Sequence, residues 1–256
     1  MNLLTKIKLL NTLKIFNITR YFTYKRNNKS PRKIKFYKQF LSEGDLCFDI
    51  GSNIGEKVDL FLKLGTRVIA IEPQRECYQF LTKIYGKNKN VVILNAALDE
   101  RKGEKTLYIC EANALSTMSE NWIAESKKES QLSQLSWNNA VKVNTDTLDE
   151  FIQQYGKPRF CKIDVEGFEL NVLKGLTQPI PYISFEIAER NFEAAVKCVE
   201  HLDSIAQVGF KHCPYEKYKF SNSEWLPKSH FIPFIESLPP ELITGDIYAK
   251  FQPHEK

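Results

Sequence analysis

The chain has 256 residues, 43% of them hydrophobic, and it carries 36 Lys and Arg residues against 31 Asp and Glu residues, which is enough for one sizeable core. No apolar run reaches about 18 residues, so a membrane-spanning helix is excluded. None of the six cysteines forms a C-x-x-C pair or clusters with a histidine at zinc spacing, so the sequence predicts reduced thiols, a cytoplasmic protein and no bound metal.

The positive charge is concentrated at the N-terminus. Residues 1–40 contain 11 Lys and Arg residues and no Asp or Glu, whereas residues 41–256 carry 25 Lys and Arg residues against 31 Asp and Glu. Apolar residues from Leu3 to Leu13 follow helical spacing, so we predict a basic, helical N-terminal extension followed by a separate domain. The extension either covers one flank of the domain or contacts an anionic membrane surface. A transit peptide or a nucleic-acid arm fits it less well.

Strands and helices alternate from residue 46 onward. The predicted elements are strands at 46–51, 67–73, 91–98 and 104–110, with helices at 56–65 and 74–86. The strands are apolar almost throughout, so both of their faces must be covered. This pattern predicts an α/β fold with a doubly wound, mostly parallel sheet.

The second half resumes this alternation after a polar interruption. Residues 111–140 are rich in serine and too long for an ordinary connection, so they form either a lid or a disordered insert. The predicted elements beyond them are a strand and a helix within 141–156, a strand at 159–165, a helix at 167–175, a strand at 182–187 and a helix at 191–209 that ends at Gly209. Thr145 or Thr147 would cap the first of these helices. The sequence GDIYAKF near the C-terminus suits an antiparallel closing hairpin.

The stretch FDIGSNIG, residues 48–55, lies where the first strand turns into the first helix. Ligands of open α/β sheets bind beyond the carboxyl ends of the strands, and Gly51 and Gly55 would let the backbone approach such a ligand. The spacing differs from the G-x-G-x-x-G of dinucleotide sites, and Asp49 would repel a diphosphate. A cationic ligand such as S-adenosylmethionine therefore fits better than a nicotinamide cofactor, which is the weaker alternative.

Two further polar residues end the next strands. Glu72 closes the second strand, 21 residues after Gly51, where a carboxylate can accept hydrogen bonds from both ribose hydroxyls. Asn95 closes the third strand and is placed to face an adenine. Together with Asp49, these residues predict a nucleoside-type cofactor at this edge of the sheet.

The segment KIDVEGFE places Asp164 and Glu166 at the end of another buried strand. If this strand neighbours the first, both carboxylates face the site beside Asp49. One would orient the cofactor or the acceptor, and the other would receive the proton of a substrate hydroxyl. The sequence leaves open which carboxylate does so, or whether a histidine does. Alternatively, Glu166 lies near the N-terminus of the following helix only because the helix dipole favours a negative charge there. Glu186 is a weaker candidate for contact with the acceptor.

Six segments follow one another in the order found in the FkbM-type S-adenosylmethionine-dependent methyltransferases: FDIGSNIG, IEP, NAALDERKGE, VNTDTLDEF, KIDVEGFELNVLKG and ISFEI. The chain resembles that family over roughly residues 45–190. The resemblance implies a Rossmann-like class I methyltransferase fold, with a seven-stranded sheet whose last strand runs antiparallel. By the motifs of the family, the cofactor pocket would be lined by Asp49, Gly51, Asn53, Gly55 and Glu72, and the reaction side by Asp164 and Glu166.

Two functional hypotheses follow from these observations. The leading one is an S-adenosylmethionine-dependent O-methyltransferase that acts on a hydroxyl of a sugar, a glycan or another small molecule, with any membrane contact made through residues 1–40. Nucleic acid is disfavoured as a partner, because the Asn/Asp-Pro-Pro-Tyr/Phe motif of nucleobase amine methylation is missing. The alternative is a non-catalytic nucleoside-binding or scaffolding module that docks on a membrane or a nucleic acid through its basic N-terminus.

Overall fold

A computed structural model describes residue 23 and residues 30–130 and 132–252. The strands of these residues, in chain order, are β1 (Leu46–Ile50), β2 (Arg67–Ile71), β3 (Val91–Leu94), β4 (Ala97–Leu98), β5 (Gly103–Ile109), β6 (Asn139–Asp146), β7 (Phe160–Ile163), β8 (Tyr182–Ile187), β9 (Val208–Pro214) and β10 (Gly245–Phe251). The α-helices are α1 (Pro31–Tyr37), α2 (Glu56–Lys63), α3 (Arg75–Tyr85), α4 (Glu120–Ser126), α5 (Leu148–Tyr155), α6 (Glu169–Lys174), α7 (Phe192–Ile205), α8 (Lys228–Glu236) and α9 (Pro240–Ile243). Two short 3-10 turns lie at Asn113–Leu115 and Glu189–Asn191.

The main sheet has seven strands in the spatial order β3-β2-β1-β7-β8-β10-β9. Strand β1 lies between β2 and β7, and these strands pair in parallel, as do β2 with β3 and β7 with β8. Strand β10 is antiparallel to both of its neighbours, β8 and β9. The predicted fold class is therefore confirmed: the sheet is mostly parallel, has seven strands, and its last strand in sequence runs antiparallel.

Successive side chains of the central strands enter two different cores. In β1, Phe48 and Ile50 pack into the core on one face of the sheet, whereas Cys47 packs into the core on the other face. All five residues of β1 and all four of β7 are buried. A strand covered on both faces needs apolar side chains at nearly every position, which is why these strands read as continuous apolar runs.

The predicted strand at 91–98 is wrong as a single element, because the chain leaves the main sheet after Leu94. The side-chain amide of Asn95 donates to the carbonyl oxygens of Glu72 at 2.9 Å and of Pro73 at 3.0 Å. The chain resumes as β4, which joins β6 and β5 in a separate three-stranded sheet. The predicted strand at 104–110 exists as β5, but it belongs to this second sheet.

Two predicted helix ends have different outcomes. Thr147 caps α5, since its side chain accepts from the backbone N–H of Glu150 and the Glu150 side chain accepts from the Thr147 N–H in return. The predicted stop of the helix at Gly209 is wrong: α7 ends at Ile205. Gly209 lies in β9 instead, where a Cβ would stand 2.8 Å from the Cβ of Trp225. The glycine there permits close packing rather than a helix terminus.

Residues 31–40 pack on the domain through aromatic rings. Phe36, Tyr37 and Phe40 are buried in the same core as Tyr248 of β10. The rings of Phe40 and Tyr248 are stacked, with centroids 5.3 Å apart. The predicted helix that starts near Leu3, whether it covers a flank of the domain or contacts a membrane, lies outside the described residues. Within the described part of the chain, no helix has the length and apolar character needed to cross a membrane.

We expect Phe36→Ala to lower the free energy of unfolding by about 3 kcal/mol, because Phe36 is 6% exposed and its ring contacts several other aromatic rings. The matched control is Lys35→Ala, one residue earlier on the exposed side of α1, which should change stability by less than about 0.5 kcal/mol. Urea unfolding measures both variants. Equal stabilities would show that α1 is not part of the cooperative unit.

Candidate functional site

The candidate site lies at the edge of the main sheet where the parallel strands end. Asp49 of β1 is in register with Lys162 of β7, Lys162 with Ser184 of β8, and Ser184 with Tyr248 of β10. Neighbours in register point to the same face of a sheet, so these four residues form one row. All of them are buried.

A second row of acids follows at the rim. Asp164 comes directly after β7, and Glu186 of β8 is in register with Asp246 of β10. The Lys162 ammonium, buried beneath them, lies 3.0 Å from Asp246 Oδ1 and 3.4 Å from Asp164 Oδ2. Burial disfavours the charge of Lys162, but the two carboxylates outweigh that cost and hold its pKa above the ordinary value. Lys162 thus holds Asp164 and Asp246 in place at the rim.

The first of two clefts opens at this edge, between the ends of β1, β2 and β7. Its floor is apolar and is formed mainly by Ile50, Ile71, Leu98 and Leu107. Of the residues that the sequence predicts for the site, the cleft is lined by Gly51, Asn53, Glu72, Asp164 and Glu166. The structure therefore brings together the ends of strands that are distant in sequence.

Glu72 is held rigidly on the wall of the first cleft. Its two carboxylate oxygens accept from the backbone N–H of Asn53 at 2.6 Å and of Gln74 at 2.8 Å. Burial raises the pKa of Glu72 to about 7, although these two N–H donors favour the ionised form. Each oxygen keeps a second lone pair, so the carboxylate can still accept from two neighbouring hydroxyls.

Two glycines at the end of β1 serve different purposes. Gly51 has a φ of 79°, and a Cβ built on it would lie 1.9 Å from the carbonyl oxygen of Asp164. Only glycine allows β1 and β7 to leave the sheet this close together. Gly55 has a φ of 85°, and a Cβ added there would lie 2.8 Å from side-chain carbons of Leu81 and Tyr85. The structure thus places Gly55 in the packing of α2 on α3 and not on the wall of the cleft.

Two other predicted cofactor residues also lie outside the lining of the first cleft. Asn95 braces the backbone after β2 through the hydrogen bonds described above. Asp49 lies one row below the rim and is 2% exposed, and among the described residues its Oδ2 atom has no hydrogen-bond partner. Burial raises the pKa of Asp49 to about 7, and the charge of Asp164 adds to that effect while Lys57 opposes it.

The raised pKa values have a consequence for stability. Folding moves the pKa of Asp49 from 3.8 to about 7 and that of Glu72 from 4.5 to about 7. Between these values the folded protein holds protons that the unfolded chain has already released. The two acids therefore lower the stability of the fold as the pH rises through that window. A bound cation or hydroxyl donor would relieve this cost.

The second cleft adjoins the first and is lined by charged and aromatic side chains. It shares Asp164, Glu166 and Ala114 with the first cleft. Its remaining charged and aromatic lining is formed by Tyr37, Glu56, Lys57, Glu186, Arg190, Tyr215, Glu216, Tyr218, Asp246 and Tyr248. A molecule in either cleft would therefore meet its neighbour at Asp164 and Glu166.

Three carboxylates crowd the junction of the clefts. Asp164, Glu166 and Glu186 each offer an oxygen, and these oxygens lie within 4.8 Å of one another. The Oε2 atoms of Glu166 and Glu186 are enclosed and accept no hydrogen bond from the described residues. Burial first, then repulsion among these acids, raises the pKa of Glu186 to about 8 and that of Glu166 well above its usual value. The group can take up a proton or a cation, but acids alone do not identify a metal site.

The sequence alone does not predict the ion pair between Lys162 and Asp246. Lys162 stands between apolar neighbours in the strand sequence FCKID. A lysine in a buried strand is rarely left unpaired, so its position already indicated a buried ion pair. Asp246 lies too far along the chain for its partner to be inferred from spacing. His201, His212 and His230 line neither cleft, so a histidine base finds no support.

Residues 113–122, here called the roof, cover the first cleft from within the segment predicted as a lid or a disordered insert. They are ordered. Ala114, Ser116, Thr117 and Met118 line the cleft. Gln74 fastens the roof, since its amide donates to the Asn113 carbonyl at 2.9 Å and accepts from the Ser116 hydroxyl at 3.0 Å. Residues 113–122 thus contact the first cleft, while the assignment of 111–140 as a lid or a disordered insert stays a prediction.

These features fit S-adenosylmethionine. Glu72 offers fixed acceptors for ribose hydroxyls, and the apolar floor suits an adenine ring. The Oδ2 atom of Asp49 accepts no hydrogen bond within the described ranges of the chain, and this atom and the acids at the junction favour positive charge, which the ligand carries on its sulfonium and ammonium groups. Gly51, Asn53 and Glu72 would hold the ligand, with Asp49 acting from the row below.

The chain is similar to several known methyltransferases. A curated relative, the hexuronic acid methyltransferase AglP of Haloferax volcanii, is 27% identical over 178 residues, which are 68% of each chain. Among solved structures, a precorrin-6y C5,15-methyltransferase of Geobacter metallireducens has a TM-score of 0.44 at 13% identity and 87% coverage of both chains. A TehB-like methyltransferase of Corynebacterium glutamicum has a TM-score of 0.43 at 9% identity, covering 92% of this chain and 96% of its own. Likenesses this distant carry no argument about the site.

The decisive comparison is with protein families. The model of the methyltransferase FkbM domain matches residues 49–212, which span the first cleft, the acids at the junction and most of the main sheet. That match covers more than half of the chain. The protein therefore belongs to the FkbM methyltransferase family and is an S-adenosylmethionine-dependent methyltransferase.

Proposed function

We propose that the protein transfers a methyl group from S-adenosylmethionine to a hydroxyl of a sugar or glycan. The observation that carries this proposal is the junction of the two clefts at Asp164 and Glu166. A cofactor in the first cleft and an acceptor in the second would meet at this junction. The junction also holds the carboxylates that a hydroxyl acceptor needs.

The residues divide the work between the two clefts. When bound, S-adenosylmethionine would supply a methyl group on a positively charged sulfur. The acceptor oxygen would attack the methyl carbon in line with the carbon–sulfur bond, and the sulfur would be the leaving group. Glu72 holds the ribose, and Asp49 together with the junction acids favours the positive charge. Lys162 keeps Asp164 and Asp246 in fixed positions. The chain's contribution is mainly alignment, because the leaving group is already good.

A hydroxyl must lose its proton as it is methylated, and the junction provides an acceptor. Glu166 and Glu186 share an enclosed space in which both pKa values are raised. A carboxylate with a raised pKa is a better base than an ordinary one, provided that it is ionised when the acceptor binds. We assign Glu166 as the proton acceptor, because it lines both clefts whereas Glu186 lines only the second.

The lining of the second cleft supports a carbohydrate acceptor. Four tyrosines border it, and Tyr215 is 68% exposed, so its ring is available to the C–H face of a sugar. The relative AglP acts on a hexuronic acid, a sugar that offers both hydroxyl and carboxyl oxygens. The junction favours a hydroxyl, since its acids would repel a carboxylate nucleophile and a carboxylate would need no base.

We expect methyl-labelled S-adenosylmethionine to transfer its label to oligosaccharides as an ether that survives mild alkali. Neutral and uronic-acid-containing oligosaccharides are tested side by side, with RNA and protein fractions as comparisons. Label released by mild alkali would indicate a carboxyl ester and would contradict the hydroxyl assignment. Label found only in RNA or protein would contradict the glycan assignment.

We expect binding of S-adenosylhomocysteine to weaken as the pH falls below about 7, because the ribose hydroxyls bind best to ionised Glu72. Each lower pH unit should cost up to about tenfold in affinity per group that must release a proton. The Glu72→Gln variant should bind S-adenosylhomocysteine weakly at pH 8, and the part of the pH dependence of affinity that comes from Glu72 should disappear. Glu76→Gln, an exposed change in α3, should behave as the wild type in calorimetry.

We expect Glu166→Gln to lower kcat by about 100-fold, the usual loss when a general base is removed. The Kd of S-adenosylhomocysteine should change by less than about threefold, because the amide keeps the size of the side chain. Glu193→Gln, an exposed change in α7, is the control. A Glu166→Gln enzyme with full kcat would show that another group accepts the proton, and Glu186 would be the first to test.

A further inference from the structure

The backbone at Glu166 has a conformation that its neighbours must impose. Its φ is 54°, in the left-handed region that residues with a Cβ seldom adopt, and Gly167 follows with a φ of 84°. From the helix side, the Glu169 carboxylate accepts from the N–H groups of Val165 and Gly167, each at 3.2 Å. This turn determines where the Glu166 carboxylate points.

The roof holds the same turn from the opposite side. The Thr117 hydroxyl donates to the carbonyl oxygen of Glu166 at 2.7 Å and accepts from the N–H of Ser119 at 2.9 Å. Trp122 packs against Gly167 so closely that a Cβ there would lie 2.2 Å from the ring carbon Cδ1. Thr117 and Trp122 are 1% and 2% exposed, so both contacts are shielded from water.

The roof also borders the place where the cofactor binds. Thr117 lines the first cleft, and Gln74, two residues after Glu72, fastens the roof through Asn113 and Ser116. Two backbone hydrogen bonds tie Thr117 to Tyr108 of β5, at 2.8 and 3.1 Å. A displacement of the roof in the cofactor cleft would therefore be transmitted to the carbonyl of Glu166.

We propose that Thr117 is a positioning residue. Its hydroxyl sets the left-handed turn that directs the Glu166 carboxylate toward the acceptor, and it thereby couples cofactor binding to the placement of that acid. Because Thr117 also lines the first cleft, a cofactor bound there would stabilise the roof and, through the Thr117 hydroxyl, the position of that acid. The assignment rests on the proposed function only in its use of Glu166 as the proton acceptor.

The first test compares Thr117→Val, which keeps the shape and removes the hydroxyl, with Thr117→Ser, which keeps the hydroxyl. Valine should lower kcat about tenfold, the effect of one lost hydrogen bond, while serine should retain at least about half of the activity. In the Glu166→Gln background, Thr117→Val should cause no further loss. If the losses in kcat of the two single variants multiplied in the double variant, the role of Thr117 would be merely structural, and the assignment would be wrong. A Thr117→Val enzyme with full kcat would also overturn the assignment.

The second test needs no acceptor and so separates this inference from the proposed function. Hydrogen exchange of peptides that cover residues 164–169 is measured with and without S-adenosylhomocysteine. The ligand should slow exchange there in the wild type and in Thr117→Ser, but much less in Thr117→Val. Equal protection in all three proteins would overturn the coupling. Protection as expected, with no glycan methylated by the wild type, would leave the coupling in place and contradict the proposed function.

Discussion

The site depends on acids that the sheet gathers at one edge and only partly neutralises. Parallel strands end together, so Asp164 and Glu186 meet above Asp49, although they are far apart in sequence. Lys162 pairs directly with Asp164 and Asp246, whereas one oxygen each of Asp49, Glu166 and Glu186 has no partner among the described residues. Unpaired buried carboxylates are costly, and they persist where a ligand offsets the cost.

This constraint connects the cofactor to the chemistry. The charges that make the first cleft receptive to a sulfonium extend across the junction into the second cleft, where a carboxylate with a raised pKa can take a proton. In the proposed function, one set of acids therefore serves both cofactor binding and proton transfer. Gly51 makes the arrangement feasible, because a side chain at that position would force β1 and β7 apart.

Much of this could be predicted from the sequence, for identifiable reasons. Local signals such as apolar runs, the Thr147 cap and glycine at the strand ends report the elements and the edge of the sheet where ligands bind. Asn95 and Asp49 show the limit. Both stand at or near strand ends, yet strand alternation places Asp49 below the rim, and the departure of the chain from the sheet turns Asn95 toward the backbone of Glu72. The partnership of Lys162 with Asp246, and the contact between the roof and Glu166, depend on tertiary packing that no spacing reveals.

The most direct measurement is a crystal structure of the protein with S-adenosylhomocysteine bound. We predict that the ribose hydroxyls donate to the Glu72 carboxylate, and that the sulfur lies at the junction of the clefts, facing Asp164 and Glu166. A nucleoside bound away from Glu72, or a sulfur directed away from the second cleft, would contradict it.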